Sequence, residues 1–226
     1  MSETSSFSLQ YGQRSTDVVA APLSRRLQLD AANPDDEWTN AAPVSFCSDW
    51  QGNNLDPARQ TQVRVLWSPE ILYLRFDCRY RSLHVFPDAD PDGRRDHLWD
   101  RDVAEAFLQP NRSDLHSYKE FEIAPNGLWL DFDVSSGAFK DLRSGLQRST
   151  SADEANHTWA AELAIPMVSL VTHFDPTSVW HANFYRVEGP AEPRAYFAWQ
   201  PTNTSEPNFH VPSTFARLRF AALAKP

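Results

Sequence analysis

Glycine is scarce in this 226-residue chain, at 7 residues, and cysteine and methionine number 2 each. No apolar run approaches the length of a membrane-spanning helix. Two cysteines exclude a disulfide-built scaffold. Cys78 falls in phase with Leu72, Leu74 and Phe76 in "ILYLRFDC", so a buried thiol is expected there rather than a bridge to Cys47. Excess positive charge is lacking as well: 21 Lys and Arg stand against 30 Asp and Glu, a formal net charge of −9. With no basic patch in the sequence, nucleic acid and anionic membranes are excluded as expected partners. The motifs GxGxxG, GxxxxGK[ST], GxSxG and HExxH are missing, which leaves nucleotide binding, nucleophile-elbow hydrolysis and zincin chemistry without support. The 7 histidines are scattered, without the short spacings of a zinc site.

The opening stretch, "MSETSSFSLQYGQRSTDVVAAP", is rich in serine and threonine and is expected to be a flexible arm over residues 1–22. It has no basic start followed by an apolar run, so no signal peptide is expected and a cytoplasmic location is the default.

What is present in abundance is aromatic: 12% of the residues, with 8 Trp and 14 Phe, beside 17 prolines that argue against long helices. The segments "TQVRVLW" and "ILYLRFDCRY", separated by Ser68, Pro69 and Glu70, predict a hairpin. Asn126-Gly127, between the alternating runs of "SYKEFEIAPNGLWLDFDV", predicts a second one. Further strands are expected at "TWAAELAIP", "WHANFYRVEG", "RAYFAWQP" and "ARLRFAAL". Strands with turns between them and no comparable helical period predict an all-β fold, a single antiparallel β-sandwich over residues 23–226.

One of these strands carries an anomaly. In "DHLWDRDVAEAFLQP", Val103, Glu105 and Phe107 share one face while Ala104, Ala106 and Leu108 share the other, so Glu105 interrupts a side that is otherwise apolar. Glu120 and Glu122 share a face of the next strand. Carboxylates gathered this way serve three chemistries: the acid and base of glycoside hydrolysis, a calcium site built from oxygens, or acceptors for sugar hydroxyls beside an aromatic platform. A fourth reading is structural, with Glu105 paired to Arg186, which likewise interrupts the apolar strand "NFYRV".

Taken in order, "TQVRVLWSPEILYLRFDC", "LWDRDVAEAFLQP", "YKEFEIAPNGLWLDF", "WAAELAIP", "WHANFYRV", "AYFAWQPT" and "PNFHVPSTFARLRF" resemble the carbohydrate-binding module family 9-like domains, over roughly Leu23 to Phe220. The resemblance implies a β-sandwich related in architecture to the DOMON sugar- and haem-binding domains, with two aromatic rings clamping a terminal sugar. Trp99 matches one clamp tryptophan, and Glu105 matches an acidic residue that hydrogen-bonds sugar hydroxyls. Phe209, flanked by Asn208 and His210, stands where those members have the second tryptophan. Glu122 stands where their pattern has an arginine.

The resulting expectation is a non-catalytic carbohydrate-binding domain serving polysaccharide catabolism, with a sugar or oligosaccharide end as its ligand. Its expected site set is Trp99, Glu105, Glu122, Arg186, Asn208, Phe209 and His210. Trp99 and Phe209 are expected as the walls of an exposed slot with Glu105 at its base. No catalytic residue is expected and calcium is the one cofactor candidate. The alternatives are a glycoside hydrolase using Glu105 and Glu122, and a DOMON-like haem protein that would need Met167 with a histidine as axial ligands.

Overall fold

The computed structural model describes residues 15–88, 90 and 92–223. Within these residues thirteen strands run in chain order as β1 Asp17–Pro22, β2 Val44–Phe46, β3 Thr61–Trp67, β4 Ile71–Arg79, β5 Val103–Gln109, β6 Ser117–Ile123, β7 Trp129–Ser135, β8 Ala138–Asp141, β9 Gln147–Asp153, β10 Thr158–Pro166, β11 Trp180–Glu188, β12 Ala195–Ala198 and β13 Ala216–Phe220. Among the described residues the single α-helix, Met167–Leu170, is one turn long.

All thirteen strands belong to one hydrogen-bonded sheet. Eleven follow in the order β8-β7-β6-β5-β11-β13-β1-β3-β4-β10-β9, while β12 pairs with β11 and β2 with β3. The β3–β4 hairpin closes where Ser68 and Ile71 exchange both backbone hydrogen bonds, at 2.9 and 3.3 Å. The β6–β7 hairpin turns at Gly127, whose φ of +85° lies in the left-handed region that glycine enters without penalty.

The sheet bends over so that one face of its β5-β6-β11 half meets one face of its β3-β4-β10 half. Ala104, Ala106, Leu108, Phe121 and Phe184 from the first half share a core cluster with Val63, Val65, Leu74, Phe76 and Leu163 from the second. Phe76 and Phe184 meet edge to face across the join, with ring centroids 6.2 Å apart.

Two expectations are corrected here. Residues 1–14 of the expected arm lie outside the described residues, but Asp17–Pro22 is strand β1 and part of the fold. This strand also breaks the antiparallel rule, because Asp17–Ala20 run parallel to Arg217–Phe220 and Ala21 and Pro22 run parallel to Leu66 and Trp67. It joins the two halves of the sheet, and Val18 and Ala20 are buried in the core between them. Its short, alanine-rich sequence carries little strand propensity, and tertiary packing supplies what propensity does not.

Every residue of β5 is buried. The face holding Ala104, Ala106 and Leu108 joins the main core, whereas Val103 and Phe107 on the other face belong to a second cluster with Tyr118, Leu130, Phe132, Tyr185 and Phe209. Both faces of the strand are apolar because both are covered, one by the facing half of the sheet and one by loops. Glu105 faces the loops.

Candidate functional site

The loop-covered face of β5, β6, β7, β11 and β12 holds a cavity of about 520 Å³. Its carboxylates are Glu105 and Glu120, and its aromatic walls are Trp99, Phe132, Phe139, Tyr196 and Phe209. Arg194, Val187, Pro207, Asn208 and His210 complete the lining.

Local structure fixes each wall. Trp99 lies in the 3₁₀ turn Leu98–Asp100, which Leu98 anchors by complete burial. The Arg194 guanidinium donates to the Trp99 carbonyl and to Asp100 Oδ1, the latter at 3.2 Å, which ties this turn to the connection between β11 and β12. The Trp99 ring stays partly exposed, with His97 at 4.8 Å on one side and Phe132 at 6.5 Å on the other.

Opposite, Phe209 stacks on Tyr185 at 4.2 Å and 10°. The Tyr185 hydroxyl donates to the Phe209 carbonyl at 3.0 Å and accepts from Asn183 Nδ2 at 2.8 Å, so ring and backbone are held by the same strand. Asn208 accepts from the His210 backbone N–H at 3.0 Å and closes the turn that presents Phe209. His210 sits between Phe107 and Phe139 with its Nδ1 2.7 Å from the Tyr118 hydroxyl, and burial lowers its pKa, so it is neutral near pH 7.

Strand register assembles the acidic floor. Glu105 stands directly across from Glu122, and Phe107 across from Glu120. Residues opposite one another on a sheet have Cβ atoms about 5 Å apart, so the three glutamates form a contiguous cluster. They are 3%, 3% and 1% exposed for Glu105, Glu120 and Glu122.

Few protein groups compensate them. Among the described residues Glu120 Oε2 and both carboxyl oxygens of Glu122 find no N–H or hydroxyl donor; the hydrogen bond open to them is the one the two carboxyls share when Glu122 is protonated, which lowers the Glu120 pKa and raises that of Glu122. Burial pushes all three pKa values up, Glu120 to about 7. Repulsion from Glu120 adds to the rise at Glu105, and repulsion from Glu105 and Glu120 adds to it at Glu122. Two arginines act in the opposite direction: Arg194 on Glu105 and Arg94 on Glu122. Arg94 is committed elsewhere, at 2.7 Å from both Asp131 and Asp141.

The structure thus brings Trp99, Glu105, Asn208, Phe209 and His210 around one cavity, with Glu122 across from Glu105 but outside its lining. Arg186 is not among them. It lies on the opposite face of β11, completely buried under the Trp159 ring, with its Nη2 3.6 Å from Glu188 and 3.8 Å from Asp102. The expected Glu105–Arg186 pair does not form, because residue 186 and residue 185 point to opposite sides of the strand and Tyr185 is the one across from Glu105.

Phe209 is only 8% exposed, so one wall of the expected slot is set into the protein surface and the open wall is Trp99. Glu105 and Glu122 stand directly across from each other on neighbouring strands, and only Glu105 of the two lines the cavity. Met167, which the haem alternative would need, is buried in the core between the sheet halves and does not line the cavity. Among the described residues no group of three or more His, Cys, Asp or Glu side chains is placed to hold a metal ion.

Arg194, Tyr196, Phe132 and Phe139 line the cavity without belonging to the expected site set. For Phe132 the signal was available, since it lies across from Glu120 on the β6–β7 hairpin. Arg194 and Tyr196 fall in the expected strand "RAYFAWQP", whose pairing with β11 brings them to the cavity, and no local pattern reports that pairing.

Residues 49–220 match the family described as Carbohydrate-binding family 9. The chain is also similar to a protein of Arthroderma benhamiae named "Extracellular protein", 25% identical over 182 residues that cover 73% of this chain and 80% of that one. Among solved structures it is similar to a carbohydrate binding module family 9 from Caldicellulosiruptor kristjanssonii in complex with cellotriose, with a TM-score of 0.68, 14% identity and coverage of 92% of this chain and 95% of that chain. A module of the same family and organism in complex with glucose gives a TM-score of 0.67 at 15% identity, covering 93% and 98%. At such identities the structural likeness concerns the fold.

Proposed function

Since the chain belongs to carbohydrate-binding family 9, we propose that it is a non-catalytic carbohydrate-binding domain, built as a single β-sandwich, whose cavity takes the end of a sugar chain. The observation that carries this reading is the pairing of aromatic walls, Trp99 and Phe209, with carboxylates at the floor of one cavity of about 520 Å³. That volume suits a small ligand. Sugars present apolar C–H faces rimmed by hydroxyls. A ring stacks on the face, a carboxylate accepts from the rim, and together they fix an orientation that neither fixes alone.

The related solved modules hold cellotriose and glucose, which makes these the first ligands to try. The test is titration calorimetry of the purified chain against glucose, cellotriose and the leading sugars from a glycan array. Saturable binding with one site per chain is expected, weakened at least about tenfold in Trp99→Ala, as for an aromatic anchor at the centre of a small interface. A folded protein that takes no glycan overturns the reading. Its role in polysaccharide breakdown would be capture beside a separate hydrolase, so no turnover of aryl glycosides or cello-oligomers is expected from the domain itself.

A further inference from the structure

The floor of the cavity is more acidic than a neutral sugar requires. Glu105 and Glu120 line it, Glu122 stands across from Glu105 on the neighbouring strand, and each is more than nine-tenths buried. The cations within reach are already used. Arg194 donates to the Trp99 carbonyl, Asp100 and Glu192, with Glu192 at 2.8 and 2.9 Å. Arg94 serves Asp131 and Asp141, Arg186 lies on the other face of the strand, and His210 is neutral. Tyr118 and Tyr185 beside the cluster are held neutral by burial. Among the described residues Glu120 Oε2, on the cavity lining, has no cation or N–H donor within hydrogen-bond distance: the neutral His210 Nδ1 stands 3.8 Å away, and the carboxyl it shares a hydrogen bond with is Glu122, itself an acid. A buried carboxylate left this way is costly unless a ligand supplies what is missing.

We propose that the sugar taken by this cavity is a hexosamine with a free amino group, whose ammonium sits against Glu105 and Glu120 between the aromatic walls. The proposal rests on the carbohydrate reading and names the ligand within it. An ammonium supplies up to three donors and the missing positive charge, and the faces of Trp99, Tyr196 and Phe209 attract a cation by their ring quadrupoles. An N-acetylated sugar brings one neutral amide donor and no charge. A metal ion is the poorer match, because the carboxylates do not gather into a set that could hold one. Glu122, across from Glu105 on the next strand and outside the cavity lining, is held towards its neutral acid form by burial and by its two carboxyl neighbours.

Binding an ammonium favours the ionised carboxylates, so it is coupled to proton loss from the cluster. Below about pH 7, where Glu120 is mostly protonated in the free protein, affinity for the amine should rise with pH by up to tenfold per unit for each proton released. A neutral sugar has no such dependence.

The experiment is calorimetry of the full chain with glucosamine trimer, its N-acetylated counterpart, cellotriose and ethanolamine, from pH 5 to 7, in two buffers of different ionisation heat. We expect the glucosamine trimer to bind at least about tenfold tighter than cellotriose at pH 7. We also expect that preference to shrink towards pH 5, with protons released on binding near pH 6. Glu120→Gln should bring the ratio of the two affinities to within about threefold of one. Equal affinity for cellotriose and the glucosamine trimer, or a preference that does not change with pH, overturns the proposal and leaves the carbohydrate reading standing. Ethanolamine bound as tightly as the trimer also overturns it, because the site would then be for amines rather than amino sugars. A cooperatively folded protein that binds none of the sugars ends both readings.

Discussion

Trp99 and Phe209 are two rings on one cavity with different structural duties. Trp99 is carried by a short turn and keeps part of its ring exposed, whereas Phe209 is 8% exposed and stacked on Tyr185 at 4.2 Å. Trp99→Ala should therefore cost about 1–2 kcal/mol of stability, and Phe209→Ala about 2–4 kcal/mol, nearer to a core deletion. Urea denaturation of the two variants gives the order directly, and a larger loss at Trp99 would contradict the burial of the rings. Arg186 is the other decisive residue. Its charge compensates Asp102 and Glu188 where water does not reach, so Arg186→Met leaves those two carboxylates buried without it. A loss of about 3–5 kcal/mol is expected, the usual result of removing one partner of a buried ionic group. Sugar affinity should be unchanged, because Arg186 faces the core side of β11. A calorimetric titration that weakened along with stability would place Arg186 in contact with the cavity after all.

At the level of elements, β1 carries a share of the fold that its length conceals. It is the one strand that bonds to both β13 and β3, so it closes the path between the two halves of the sheet. Deleting Asp17–Pro22 would expose the pairing edges of β13 and β3 and open the core cluster at Val18 and Ala20. The expected result is loss of the cooperative melting transition, measured by circular dichroism, with 1-anilinonaphthalene-8-sulfonate bound by the exposed apolar surface. A truncated chain that melts like the intact one would show that residues 17–22 are an arm. Strand β5 makes a different point. Its anomalous glutamate and its two apolar faces have one cause, since the strand is sandwiched between the core and a layer of loops. An ionisable group is tolerated there because it lines a cavity and burial shifts it towards its neutral form.

For the whole molecule, the acidic cluster sets a pH profile. Glu105, Glu120 and Glu122 have folded-state pKa values raised above those of the unfolded chain, so the folded state binds more protons than the unfolded state between the two values. Their contribution is fully present below about pH 4.5 and is lost as pH rises through the folded values, about 7 for Glu120. Other carboxyls act in the opposite sense. Arg81 beside Asp56 and the Tyr196 hydroxyl beside Glu192 hold those pKa values low, and the stability they confer disappears as the solution is acidified below their ordinary range. Stability should thus peak near pH 5 and decline towards pH 8, in urea midpoints taken across that range. Replacing Glu120 and Glu122 together by Gln should flatten the decline. A profile that rises steadily to pH 8 would mean that the glutamates are not buried in the unliganded protein.

Much of this molecule is readable in order along the chain. The segments "TQVRVLW" and "TWAAELAIP" are β3 and β10 residue for residue, and the Asn126-Gly127 turn joins β6 to β7 as its φ preferences require. What the sequence determined by itself was the side on which each strand residue lies, because alternation along a strand is local and has a period of two. It therefore separated Glu105 from Ala104 and placed Glu120 with Glu122. Strands β1, β2, β8 and β9 escaped because they are short or polar, as in "QRSTSAD", and owe their pairing to neighbours rather than to propensity. Only the tertiary structure decided which groups meet on each side. Arg186 went to Asp102 and Glu188 in the core, while Trp99 on a short turn, Arg194 on the β11–β12 connection and Tyr196 on β12 came over the glutamates from parts of the chain far apart in sequence. The side a residue takes follows from its own strand, but its partners follow from how distant strands and loops pack, and no local period encodes that.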